Sequence, residues 1–260
     1  MSSQAKYHIG FGVDDLDPDT TIVLLSGDPE RSEMIAMTRL DNGRVLARNR
    51  GLDAYAATLS NGQHVVCATS GMGAPSMSIV VNELAQIGMK TIIRIGTCGS
   101  IQPHVAVSSV VIGSAAVANQ GAADDIAPPE FPAAADPFLT VALANAASQL
   151  GVDHHVGVMA STDTFFEGQE RWESSANPHL IRRQRGLIDE YVGLGVLNFE
   201  MEAATLFKMG LVYGFAAGCV CGVIAARTAA EEPDLEAKSQ AVDNAISVAV
   251  TTAAMLGSPL

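Results

Sequence analysis

Two hydrophobic periods alternate along the chain. Short apolar runs rich in β-branched residues occupy positions 21–25, 65–69, 91–95, 105–112, 156–160, 196–199 and 215–225. Runs of this length and make-up predict buried strands. Helical spacing of apolar residues marks 32–37, 77–87, 139–150, the region around 180–191, 201–209 and 235–256. Gly88, Gly151 and Gly210 follow three of these stretches and predict their ends. Residues 45–59 alternate loosely, and Asn61-Gly62 predicts a hairpin returning into 65–69. Residues 115–137, with Pro128-Pro129 and Pro132, read as loop, and so do 161–172 and 227–233. The polar, Asp-rich residues 1–18 read as a loose arm. Strand and helix patterns alternate with no repeat or linker between them. The expectation is one α/β domain over residues 1–260, with three layers and a mixed central β-sheet flanked by helices.

Three predicted strands end in glycine-rich turns, at Gly27, at Gly71 with Gly73, and at Gly96 with Gly99. Singly, each is an ordinary tight turn. Arg94 interrupts the apolar run of 91–95 just before the third of them. An unpaired buried arginine is costly, so Arg94 must meet a carboxylate or face an anion in a cleft at the strand's carboxyl end. At the first turn, Asp28 suits a helix N-cap and Pro29 the first helical position. The free N–H groups there could hold a phosphate, with Arg31 adding its fork of donors. One phosphate held by Arg31, Arg94, Thr97 and backbone N–H groups fits this set. Arg48 and Arg50 have no obvious partners nearby in sequence. No GxGxxG and no Walker lysine motif occurs, which disfavours a dinucleotide-binding oxidoreductase and a nucleoside triphosphatase.

Charge and cysteine usage narrow the choice. The formal net charge of −13 disfavours nucleic acid and anionic membrane surfaces as partners. Cys67, Cys98, Cys219 and Cys221 follow no disulfide or CxxC spacing, which predicts a reducing, cytoplasmic setting. The longest apolar run, 215–226, is too short to span a membrane. Cys219 and Cys221 read as small core residues. His154-His155 has no third ligand nearby, so no metal is expected. No nucleophile-elbow spacing suggests acyl transfer.

Two further stretches carry chemistry. Glu200-Met201-Glu202 joins a strand to a helix. The acids there could simply complement the helix dipole. Alternatively, a carboxylate accepts the vicinal hydroxyls of a sugar while Met201 offers it an apolar surface. Residues 163–172 combine aromatics with polar donors. They could be a surface loop anchored by its aromatics. Alternatively, Phe165 stacks on a planar ring, while Gln169 and Arg171 match the acceptor–donor–acceptor edge of a uracil-like base.

The order of these motifs, from Tyr7-His8 to Arg227-Thr228, resembles the nucleoside phosphorylase family of α/β phosphorylases, and within it the members that cleave uridine. The resemblance implies that Gly27, Arg31, Arg94 and Thr97 hold phosphate. It implies that Arg50 reaches the phosphate of a neighbouring subunit, and His8 the 5′-hydroxyl of that neighbour's sugar. Met201 and Glu202 would hold ribose. Phe165, Gln169 and Arg171 would hold uracil, with Arg227 nearby. Arg94, Gln169 and Arg171 would carry the chemistry. The implied reaction is reversible phosphorolysis of uridine, with inorganic phosphate as co-substrate and no cofactor. The implied assembly is a homo-hexamer, a trimer of dimers. The purine-cleaving members use an aspartate after the late strand, where this chain has Ala225-Ala226-Arg227. Cys98 stands where a second threonine is usual. Gly51 stands where a cation-binding glutamate is usual, so no monovalent cation is expected. Alternatives are a purine nucleoside or methylthioadenosine phosphorylase or hydrolase of the same fold, and a non-catalytic nucleoside-binding protein.

Overall fold

The structure, a computed structural model, describes residues 4–227 and 235–256. The predicted loop at 228–233 and Thr228 of the Arg227-Thr228 motif therefore lie outside the described residues. Among the described residues, nine strands form one mixed sheet in the order β2-β3-β4-β1-β5-β8-β7-β6-β9. They are β1 (Ile22–Ser26), β2 (Asp41–Ala47), β3 (Ala54–Thr58), β4 (His64–Thr69), β5 (Thr91–Ser100), β6 (Val110–Asn119), β7 (His154–Thr162), β8 (Asn198–Glu200) and β9 (Ala216–Ala226). The α-helices among the described residues are α1 (Pro29–Met34), α2 (Ala74–Gln86), α3 (Gly121–Ile126), α4 (Pro137–Leu150), α5 (Leu187–Gly193), α6 (Ala203–Tyr213) and α7 (Leu235–Leu256).

The expected three layers are present. On one face of the sheet, Met77, Val80 and Leu84 of α2 pack with Leu206 and Phe207 of α6. On the other, Leu139 and Leu143 of α4 pack with Ile246 and Ala249 of α7. Alanine and glycine let α7 lie close: a Cβ at Gly222 would stand 2.3 Å from the Ala241 carbonyl oxygen.

One feature is absent from the sequence reading. β5 pairs with β9 along its length, with β1 over its first half and with β8 at Gly99 and Ser100. The ring of pairings β5–β8–β7–β6–β9 closes on itself. Gly96-Thr97-Cys98-Gly99-Ser100 is thus not a turn. It is the second half of a ten-residue strand, with an irregularity between Cys98 and Gly99. Its glycines serve close approach: a Cβ at Gly96 would meet Cys221 Sγ at 2.8 Å and Arg94 Nη2 at 2.9 Å.

Other boundaries also move. β6 begins at Val110, not 105, and runs into the expected loop as far as Asn119. Its pairing with β7 overrides the small residues that made 115–119 look irregular. The loosely alternating 45–59 contains two strands separated by a turn, with Arg50 and Gly51 both at positive φ. Only Leu187–Gly193 of the expected helix around 180–191 is α-helical. α6 passes through Gly210, which is packed against Ala217, and ends at the left-handed Gly214. The amino-terminal arm is docked rather than loose. Ile9 and Phe11 are buried, and Glu83 of α2 accepts from the N–H groups of His8 and Ile9 at 3.0 and 2.9 Å.

Candidate active site

The carboxyl ends of β1 and β4 come level with the middle of β5, with Ser26 beside both Thr69 and Ile95. A cleft of about 620 Å³ opens beyond them. Gly27, Arg31, Arg94, Thr97, Phe165, Gln169, Arg171, Met201 and Glu202 all line it. They come from sequence positions 27–202 and meet only because the sheet gathers its strand ends.

Arg94 lies on the floor and is only 4% exposed. Its Nε donates to Glu200 at 3.3 Å, and its Nη2 donates to Glu202. Its Nη1 is buried and has no partner among the described residues. Of the alternatives raised from the sequence, the carboxylate one is met: two nitrogens of the fork meet carboxylates, and Nη1 alone is left without one. Burial alone would lower the Arg94 pKa, but Glu202 and Glu200 hold it above the ordinary guanidinium value.

Nη1 faces the first glycine turn, since a Cβ at Gly27 would lie 3.9 Å from it. α1 starts there as the sequence predicts, with the Asp28 side chain capping Glu30 N–H at 3.0 Å and Pro29 in the first turn. That helix carries Arg31 into the cleft, where it donates to the Ile95 carbonyl at 3.3 Å. Asp28 is 3.9 Å away, a weak ion pair. Burial, and to a lesser degree the charge of Arg94, lowers the Arg31 pKa despite Asp28. Two guanidinium groups thus face one gap, which suits an anion.

The opposite wall is the turn from β8 into α6. Glu200 accepts from Ser161 Oγ, from Glu202 N–H at 2.9 Å and from Ala203 N–H at 2.9 Å. Glu202 is the N-cap residue of α6, and its two oxygens accept from Gly73 N–H at 2.6 Å and from Arg94. The acids therefore serve the helix start and Arg94 together. Burial, and then the proximity of Glu202, push the Glu200 pKa up to about 7. Met201, between them, is partly buried and lines the cleft.

Across the cleft, residues 163–171 fold into a tight loop. Phe165 lies 4.4 Å from the Arg171 guanidinium. Gln169 is buried, donates to Thr162 Oγ1 at 3.3 Å and accepts from Arg171 Nε at 3.4 Å. An amide and a guanidinium are thereby held side by side, as recognition of a carbonyl–imide edge requires.

A match to the phosphorylase superfamily covers residues 21–256. The chain belongs to that superfamily. It is 43% identical over 256 residues to the uridine phosphorylase of Salmonella typhimurium, covering 98% of this chain and 100% of the relative. It is 42% identical over the same length to the uridine phosphorylase of Escherichia coli, with the same coverage. It is also 30% identical over 227 residues to the guanosine phosphorylase of Halorubrum lacusprofundi, covering 86% of this chain and 87% of that one.

For this superfamily member the cleft leaves three expected site residues outside its lining. Arg227 donates from Nη1 to the Gln169 carbonyl and from Nη2 to the Glu170 carbonyl at 3.5 Å. It clamps the backbone of the loop. His8 lies at a second hollow beside α2, its Nδ1 2.7 Å from Glu83. Arg50 is exposed on the turn between β2 and β3. Arg48, which seemed unpartnered in sequence, pairs with Glu33 at 2.6 Å and Asp53 at 3.5 Å.

The role of Glu200 and the lining residues Met72, Ile224 and Lys238 are not marked in the sequence as parts of a site. Glu200 was visible as a buried acid needing a cation, the converse of the Arg94 argument. The other three carry no local signal. Glu200, Cys219 and Cys221 place one metal-ligand atom each within 4.8 Å of one another. The Glu200 oxygens are already committed to Arg94, Ser161 and two N–H groups, and the Arg94 cation lies beside them. This set does not suit a cation.

Proposed function

We propose that the protein catalyses the reversible phosphorolysis of uridine, giving uracil and ribose 1-phosphate. The observation that carries this reading is the buried, unpartnered Nη1 of Arg94, which faces Gly27 and shares its gap with Arg31. Phosphate occupies that gap, held by Arg31, Arg94, Thr97 and the backbone at Gly27. Ribose lies against Met201 and Glu202, and uracil against Phe165, Gln169 and Arg171. Relatives named uridine phosphorylase, similar over nearly the whole chain, support the choice of base.

As the glycosidic bond lengthens, positive charge grows on the sugar and negative charge on the base. The phosphate dianion below the sugar stabilises the first and then attacks the anomeric carbon. Gln169 and Arg171 stabilise the second by donating to the uracil oxygens. Phosphate is a weak nucleophile, so holding it in line supplies much of the rate. Arg227 keeps the base loop in register through its two carbonyl contacts. The reaction as written needs no cofactor beyond the phosphate co-substrate.

The same reading assigns Arg50 and His8 to the site of a neighbouring copy. Both lie away from this chain's own cleft, as residues lent across an interface would. The assembly proposed is a homo-hexamer, a trimer of dimers, working in the cytoplasm. Among the described residues no helix is long and apolar enough to cross a membrane.

Base release from uridine, 2′-deoxyuridine, guanosine, inosine and methylthioadenosine, with and without phosphate, tests the proposal. Phosphate-dependent release of uracil is expected. Preferred release of guanine would favour the purine reading that the Halorubrum relative represents. Tight binding of uridine with no release would favour a non-catalytic binding protein.

A further inference from the structure

The cleft depends on a residue that does not line it. We infer that Gln120, at the carboxyl end of β6, is a positioning residue for the ribose subsite. This rests on the function proposed above. Gln120 is only 2% exposed. Its Nε2 donates to the Met201 carbonyl at 2.6 Å. Its Oε1 accepts from Thr205 N–H at 3.2 Å and from Thr205 Oγ1 at 2.8 Å. One amide thus ties Met201 to the first turn of α6, on which Glu202 is the N-cap residue.

The neighbours of Gln120 reach the other walls. Asn119 Nδ2 donates to Tyr191 Oη, and Tyr191 lies against Phe199 of β8. Gly121 N–H donates to Asp163 Oδ2 at 2.8 Å, anchoring the start of the base loop. Three consecutive residues therefore reach β8, the turn from β8 into α6 and the base loop, and Gln120 holds the turn where the sugar lies.

Gln120→Glu separates positioning from simple support. The ionised carboxylate still accepts from Thr205 but cannot donate to the Met201 carbonyl, so kinetics are read at a pH alkaline enough to ionise it. Losing one buried hydrogen bond at this point is expected to raise KM for uridine and for ribose 1-phosphate about tenfold. KM for phosphate and for uracil should stay within about twofold of the parent, because Arg94, Arg31, Gln169 and Arg171 do not touch Gln120. Gln120→Leu, which fills the site without any polar contact, should show the same split. Thermal unfolding of each variant identifies folded protein, and kinetics are read only below its transition. Equal losses for all four substrates in a folded variant would overturn the inference, and so would unchanged kinetics in Gln120→Glu. If both variants fail to fold, Thr205→Val supplies the same test. It removes the hydroxyl that orients the amide, and an unsplit loss there overturns the inference. Absence of uridine turnover in the parent protein would instead refute the function proposed above.

Discussion

Arg94 sits between two carboxylates and one gap, and this sets what its loss should do. Replacing it with alanine leaves Glu200 and Glu202 buried without their cation. Breaking a buried pair in this way costs about 3–5 kcal/mol of stability. The anion also loses its buried donor, so phosphate-dependent turnover in Arg94→Ala should fall by about a hundredfold or more. Assays on folded protein, paired with denaturant unfolding, read both effects. Near-native turnover would contradict the assignment.

Glu200 gives the residue scale its pH dependence. Its folded pKa is raised to about 7, chiefly by burial, above the ordinary carboxylate value. The stability it contributes is thus fully present below the ordinary glutamate pKa and is lost as pH rises through about 7. With Glu200 protonated, Arg94 balances Glu202 and Arg31 is left to the anion. With Glu200 ionised, one more negative charge stands beside the gap that Arg94 and Arg31 share. Stability should therefore decline between pH 4.5 and about 7, and Glu200→Gln should flatten that part of the pH–stability curve. An unchanged curve in the variant would contradict this account.

At the scale of elements, the base loop and the amino-terminal arm are each tied down by residues distant in sequence. Arg227 holds the loop by its carbonyls, so Arg227→Ala should raise KM for uridine several-fold while leaving the phosphate KM unchanged. Steady-state kinetics in both substrates decide it. The arm depends on Glu83, whose pKa falls below the ordinary value because its hydrogen bonds to His8 and Ile9 outweigh its desolvation. That contribution is present above the ordinary carboxylate pKa and is lost as pH falls through the lowered one. Amide exchange at His8 and Ile9 should rise steeply in that acid window while β5 stays protected.

What could be read from the sequence follows from where the determining contacts lie. The start of α1 was legible because Asp28 and Pro29 act within one turn of each other. So was the cleft residue Arg94, because a charge inside an apolar strand demands an explanation. The second half of β5 was not legible. Its glycines look like a turn, and pairing with β9 and β8, both far away in sequence, shows them to be strand. The arm looked loose because its anchor, Glu83, lies on α2. Gln169 and Arg171 were legible as polar groups in an aromatic loop, whereas the clamp on that loop by Arg227 is a tertiary contact with no local mark.

At the scale of the whole molecule, the sheet gathers scattered positions into one cleft. The ring of pairings from β5 to β9 brings Glu200 of β8 against Arg94 of β5, and β1 delivers Arg31 through α1. A crystal soaked in phosphate tests this arrangement most directly. The account predicts one anion within hydrogen-bond reach of Arg94 Nη1 and the Arg31 guanidinium, above the backbone of Gly27. A vacant gap at saturating phosphate, or an anion bound away from both guanidinium groups, would contradict it.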